Sequence, residues 1–240
     1  MKKYLMFILL FLVATAFSTT IYDVQYTTVP GPSGYYPSLL VGQTVTVTGL
    51  VSGYNFKGYK DNLYLIMPDG GAWSGVYVYA CGDTNFVTGD ELEITALVSE
   101  YFGLTELMNA SSITLLSSGN DLPDPAVITT AQLAGEEEWE GVLVEVHDVV
   151  VTSAQNTYGE WYVTDVSATQ GQMDDGFFYL DQVEPPIVIN VGDTWAILRG
   201  MVNYSYDEFE LNPRTPDDMI ATLPLVCDFS ADPLSGPVAL

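Results

Sequence analysis

The chain of 240 residues is long enough for one large or two small domains, and with 48% hydrophobic residues each half can bury a core. Its formal net charge of −25, from 31 acidic against six basic residues, removes most of the Lys and Arg surface that sequence-independent nucleic-acid affinity requires, since that affinity comes from cations displacing phosphate counterions. Such a surface repels polyanions, draws in cations and keeps a secreted protein dispersed.

In chain order, Lys2 and Lys3 precede a continuous apolar run from Tyr4 to Val13, and the small residues Ala14-Thr15-Ala16 follow. This is the pattern of a secretory signal peptide over residues 1–18, too short to span a bilayer as a mature helix. The expected location is therefore secreted, extracellular or at the cell surface, with no membrane span in the mature chain. Thr19 to Gln25 reads as a short lead-in strand, and the loop after it is punctuated by Pro30, Pro32 and Pro37. Gly42 to Val51 alternates apolar and polar β-branched residues, which predicts a strand with one buried face. Further strands are predicted over Leu63–Met67, Gly75–Tyr79, Glu91–Glu100 and Thr105–Leu116.

Five strands in this order, with a connector between the third and fourth, match a small Greek-key barrel of the oligonucleotide/oligosaccharide-binding (OB) type. A β-sandwich needs about seven strands in a comparable length. Ser117 to Ala126 reads as a linker, and Thr129 to Glu138 as a short helix or turn ending in a run of acids. The pattern then returns over Glu140–Thr152, Trp161–Asp165, Gly176–Leu180, Asp193–Asn203 and from Glu208 onward. In each copy a Gly opens a short aromatic strand (Gly75 and Gly176), and a Gly-Asp turn (Gly89-Asp90 and Gly192-Asp193) precedes a long alternating strand. Repetition at this scale implies an all-β chain of two tandem five-stranded OB-fold-like barrels. The predicted division is signal peptide 1–18, first barrel 19–116, linker 117–138, second barrel 139–222 and a segment of different character at 223–240.

The stretch VGQTVTVTGLVS, the short aromatic strand after Gly75, and VTGDELEITALVSEYFGLTEL together resemble the tandem barrel modules placed ahead of catalytic domains in secreted bacterial nucleases and other large surface proteins. The resemblance covers roughly residues 20 to 220 and implies a non-catalytic accessory module. The second copy departs from it where Tyr204-Ser205-Tyr206-Asp207-Glu208 replaces the glycine turn. The tail from Leu225 to Leu240 resembles the opening of a polycystic-kidney-disease-type (PKD) immunoglobulin-like domain, which implies that the natural chain continues.

On OB barrels ligands cross the second and third strands, walled by the loop after strand one and the loop between strands four and five. In the first copy these places carry Phe56, Lys57, Tyr59, Lys60, Tyr64, Tyr77, Tyr79, Tyr101 and Phe102, a candidate stacking platform for bases or sugar rings beside two of the few cations. The alternative is ordinary half-buried strand aromatics. The second copy offers Tyr158, Trp161, Tyr162, Phe178, Tyr204 and Tyr206 without the lysines. Asp165, Asp174, Asp175 and Asp181 supply hard oxygen ligands near one another and form a candidate Ca²⁺ site, set against chance clustering in an acidic chain. His147, the single histidine, has no serine or cysteine at motif spacing and reads as a surface residue. Cys81 and Cys227 leave both a disulfide and a buried thiol open, and zinc is disfavoured.

The sequence thus predicts a secreted, non-enzymatic accessory module that holds an extracellular polymer, polysaccharide or nucleic acid, or a matrix protein, with no catalytic residues. The alternatives are the N-terminal part of an extracellular hydrolase whose catalytic domain lies beyond residue 240, and a structural spacer.

Overall fold

The segment predicted as a lead-in strand is a helix, α1 (Ile21–Gln25). Thr20 caps it by accepting from the Asp23 amide while the Asp23 carboxylate accepts from the Thr20 amide, a reciprocal capping box that satisfies two otherwise orphaned donors. Ile21 and Val24 are thereby turned into the core. The computed structural model describes residues 19–31, 35–59, 61–82 and 85–222; the expectations for the signal peptide, Lys60, Cys227 and the tail at 223–240 lie outside the described residues.

The first barrel consists of β1 (Thr44–Tyr54), β2 (Leu63–Ile66), β3 (Gly75–Val78), β4 (Glu91–Tyr101) and β5 (Leu104–Ser117). They close in the order β1-β2-β3-β5-β4, with β3 and β5 parallel and the other pairs antiparallel. The second half contains β6 (Ala126–Val127), α2 (Thr130–Gly135), β7 (Leu143–Ser153), β8 (Trp161–Thr164), β9 (Gln170–Met173), β10 (Thr194–Ser205), β11 (Glu208–Asn212) and β12 (Met219–Ala221). Pairing of β10 with β7 closes β7-β8-β9-β11-β10 into the same ladder, again with the third and fifth strands parallel. The all-β, two-barrel OB-type reading therefore holds. The repeat also extends to the helices: Thr129 and Gln132 form a second capping box ahead of α2, whose Leu133 packs on Gly171 of β9.

Two features of the second copy differ from expectation. Its third strand is β9, not Gly176–Leu180. The aromatic stretch leaves the barrel wall because Phe177 packs against Phe56 and Tyr64 of the first barrel, with ring centroids 4.9 and 6.0 Å away. Gly53 makes room for it, since a Cβ there would sit 2.7 Å from the Phe177 ring. The fifth strand is interrupted as well. Where β5 runs unbroken for 14 residues, the second copy meets Pro213 and Pro216, which cannot donate to the ladder, and pairing with β10 resumes only at β12.

The first barrel has its own core, built on Val47, Leu65, Leu92 and Ile94. A larger core crosses between barrels, joining Leu50, Phe56, Tyr64, Ile66, Tyr77 and Leu104 to Val144, Trp161, Met173, Met201 and Leu211. Hydrogen bonds tie the same junction. The Lys57 amide donates to the Gly176 carbonyl (2.6 Å), Trp73 to Glu138 (2.7 Å), and the Gln25 side chain to both Gly75 (2.8 Å) and Glu140 (3.3 Å).

Candidate binding cleft between the barrels

The first barrel's predicted platform is divided by this docking. Phe56, Tyr64 and Tyr77 are buried, Tyr64 completely, and they pack edge-on or tilted against one another, with Phe177 against Phe56 and Tyr64. They are junction core and not a ligand face, because the Gly176–Phe178 stretch of the second copy covers the strands on which a ligand would lie. Tyr59 and Tyr79 remain exposed, as does an edge-to-face pair on the β4–β5 turn, Tyr101 at 62% and Phe102 at 76%.

A cleft of about 460 Å³ opens where the β1–β2 loop meets the segment after β9. Lys57 and Gly58 form one side, and Asp174, Asp175, Phe178, Tyr179 and Gln182 the other, with Tyr158 at the mouth. Tyr158 and Tyr179 present 81% and 58% of their surfaces to solvent. A volume in the range of about 300–1,000 Å³ with aromatic walls and a few convergent polar groups is what a small-molecule or short-chain site requires.

Lys57 and Asp174 of the lining connect to a buried polar network that runs from one barrel to the other. Tyr64 Oη donates to Asn203 Oδ1 (3.0 Å), and Asn203 Nδ2 donates to Glu210 Oε1 (2.6 Å). Lys57 Nζ lies 3.5 Å from Asp174 Oδ2 and 3.7 Å from Glu210 Oε1. Burial alone would lower the lysine pKa, but Glu210 and Asp174 outweigh it and raise it, so the ammonium stays charged. Burial, with Asp174 alongside and despite Lys57, pushes Glu210 up to about 7; burial also raises Asp174 against the pull of Lys57. Asp175 is raised to about 6 by burial and by Asp174, and accepts from Gln155 Nε2 (3.0 Å).

The same geometry lends the calcium expectation for Asp165, Asp174, Asp175 and Asp181 no support. Among the described residues no group of three or more His, Cys, Asp or Glu side chains is placed to hold a metal ion. Asp174 already faces an ammonium from the first barrel. Asp165, directly after β8, is taken up by the start of α2, accepting from the Thr130 amide (3.0 Å), the Thr130 hydroxyl (2.8 Å) and the Ser167 amide (2.8 Å). Its pKa is lowered because these bonds outweigh partial burial. His147 is partly exposed on β7 and pairs with Glu145 at 2.7 Å, as Arg199 does at 2.8 Å. Cys81 is buried, with Sγ 3.0 Å from the Asp61 carbonyl.

A second acidic group sits deeper in the junction, hidden in the sequence within the acid run after α2. Glu140 Oε1 accepts from the Thr105 amide (2.9 Å), and Glu100 Oε1 from the Ser38 amide (2.8 Å) and the Thr105 hydroxyl (2.5 Å). The second carboxyl oxygens of both are buried without a hydrogen-bond partner. Burial, with Glu100 adding repulsion, lifts Glu106 to about 7 and Glu137 to about 8; burial and Glu137 push Glu140 well above the carboxylate range. The described Lys, Arg and His side chains all pair elsewhere, so burial and mutual repulsion favour the protonated forms of these acids.

A family model described as "Domain of unknown function (DUF8508)" matches residues 136–223, the second barrel. No curated protein matches the chain. Among solved structures, the chain is similar to the HINb domain of p204 (10% identity, 63% of this chain and 78% of that one, TM-score 0.30) and to a murine DNA-binding protein bound with double-stranded DNA (10%, 71% and 93%, 0.34). It is also similar to a structure described as "Structural mimicry for functional antagonism" (11% identity, 77% and 94% coverage, TM-score 0.36).

Proposed function

We propose that the chain is a secreted, non-catalytic binding module that holds a neutral polysaccharide in the cleft between its two barrels. The observation that carries this is the pairing of exposed rings, Tyr158 and Tyr179, with Phe178 over a floor of hydrogen-bonding groups, Asp175, Gln182 and Lys57. Sugar rings offer an apolar face for stacking and hydroxyls for such a floor. Charge favours this ligand over nucleic acid. The cation in the cleft, Lys57, is already shared by two carboxylates, and a net charge of −25 surrounds it, so it is poorly placed to displace the counterions of a phosphate backbone.

The test is retention on insoluble cellulose, xylan and chitin and on immobilised single-stranded DNA. Binding to at least one polysaccharide is expected, and Tyr158→Ala with Tyr179→Ala should weaken it about 30-fold, roughly 1 kcal/mol for each ring. Tyr101→Ala with Phe102→Ala, outside the cleft lining, should leave it unchanged. Retention on DNA alone, or polysaccharide retention indifferent to the Tyr158 and Tyr179 changes, contradicts the reading. Release of reducing ends would turn the module into a hydrolase, and retention on none of these would favour a spacer.

A further inference from the structure

Away from the cleft, a smaller cavity of about 210 Å³ lies where the segment before β1 meets the end of α2 and the β10–β11 turn. It is below the size of sugar-chain and drug-sized sites, about 300 Å³ and upward. Its walls are aromatic and set at angles to one another. Tyr35 and Tyr204 meet edge to face with centroids 5.9 Å apart and planes at 74°, and Tyr204 and Phe209 are 4.7 Å apart at 58°. All three rings line this half-open cavity, so aromatic surface borders it from the segment before β1, from β10 and from β11. Two carboxyl groups, Glu137 and Asp207, complete the lining. Tyr35 Oη donates to Asp207 Oδ1 (2.8 Å), which fixes both the ring and the charge at the rim.

We propose that this aromatic box, Tyr35, Tyr204 and Phe209 with Glu137 and Asp207, binds a quaternary or methylated ammonium head group. The faces of aromatic rings carry negative quadrupole charge and attract a diffuse cation, and the acidic groups of Asp207 and, at higher pH, Glu137 add to that attraction. Hard metal ions are the wrong guests, because they need several converging oxygens and no three acidic or histidine ligands meet here among the described residues. None of the described Lys, Arg or His side chains lines the cavity, and each is paired elsewhere. Above the pKa of Glu137 the cavity therefore carries negative charge that no described Lys, Arg or His side chain compensates.

Glu137 ties occupancy to pH. It faces Glu100 of β4, Glu140 beside it in the chain, and Tyr204 of β10, while Tyr35 and Asp207 stand across the cavity. Burial and Glu100 raise it to about 8, so the guest drives out a proton below that pH and binds tightest above it.

Calorimetric titration of the whole chain with tetramethylammonium chloride and with choline chloride, at pH 6 and pH 9, is the experiment. Sodium chloride and ammonium chloride at equal ionic strength serve as controls. Saturable binding of the methylated cations is expected, stronger at the higher pH, and weakened about tenfold or more by Tyr35→Ala and by Asp207→Asn. Both substitutions sit at the rim, and unchanged melting of the unliganded variants verifies that they fold. If Tyr35→Ala does not fold, Asp207→Asn alone decides. No saturable heat from either methylated cation, an equal response to sodium, or undiminished binding in the folded variants overturns the proposal. Binding of these cations is independent of polysaccharide retention, so either reading can fail alone.

Discussion

Raising the pH from 5 to 8 is expected to lower the thermal midpoint by about 10 °C. The effect comes from the junction acids. A carboxyl whose folded pKa is raised above its unfolded value stabilises the fold fully below the unfolded value and loses that contribution as pH climbs through the folded one. Glu106 rises to about 7, Glu137 to about 8, and Glu140 well above the ordinary range, each chiefly by burial. Stability should therefore decline through the window from about 4.5 to 8. A tenfold change in proton affinity corresponds to about 1.4 kcal/mol, and after discounting for the partial exposure of Glu106 and Glu137 and for shared repulsion, a loss on the order of 4 kcal/mol remains. Melting by circular dichroism across this range checks it. Glu140→Gln keeps an acceptor for the Thr105 amide and carries no charge, so it should match the native chain at pH 5 and flatten the decline above pH 6. A decline of equal slope in that variant would place the titrating groups elsewhere.

Gly75→Ala is expected to cost about 3 kcal/mol or more and to loosen the barrels from each other, although in the sequence Gly75 marks only the opening of a strand. A Cβ at Gly75 would overlap the Gly141 carbonyl, and backbone cannot rotate aside as a flexible side chain would. Gly141 sits at φ 72°, a conformation that resists substitution from the other side of the contact. The Gly75 carbonyl also accepts from the buried Gln25 side chain. Relief of the overlap would separate β3 from the start of the second barrel, exposing Tyr64 and Tyr77. Denaturant unfolding should show a lower midpoint, and a second transition if the barrels then unfold separately. A variant within about 0.5 kcal/mol of native, in one transition, would mean that the contact yields easily.

The strands are legible where they alternate with period two, as along Glu91–Tyr101 and at the start of Thr44–Tyr54 (buried Val45 and Val47 around exposed Thr46), and the duplicated order gives the barrel twice. Helix α1 is masked by its β-branched residues, although Thr20 and Asp23 stand at capping-box spacing. The site is much less legible. Phe56, Tyr64 and Tyr77 have the composition of a stacking platform whether they face a ligand or another barrel, and only the docking of Phe177 distinguishes the two. Asp174 and Asp175 stand out as a charge cluster, but the cation that answers Asp174, Lys57, comes from the other copy, beyond any local spacing rule. The acids at 136–140 resemble a solvated run; Glu140 is buried because the junction closes over it. Tyr35 and Asp207 carry no motif and meet only through tertiary structure.

The central claim is that the second barrel covers the face on which the first would bind a ligand. A double-mutant cycle across that face tests it most directly, using Tyr64→Phe in the first barrel and Asn203→Ala in the second, with unfolding free energies measured at pH 6. Tyr64 Oη donates to Asn203 Oδ1 at 3.0 Å inside the junction. The account predicts a coupling energy of about 1 kcal/mol, because either change alone already removes the bond. Additivity within about 0.3 kcal/mol would contradict it, leaving Tyr64 free on an open barrel face.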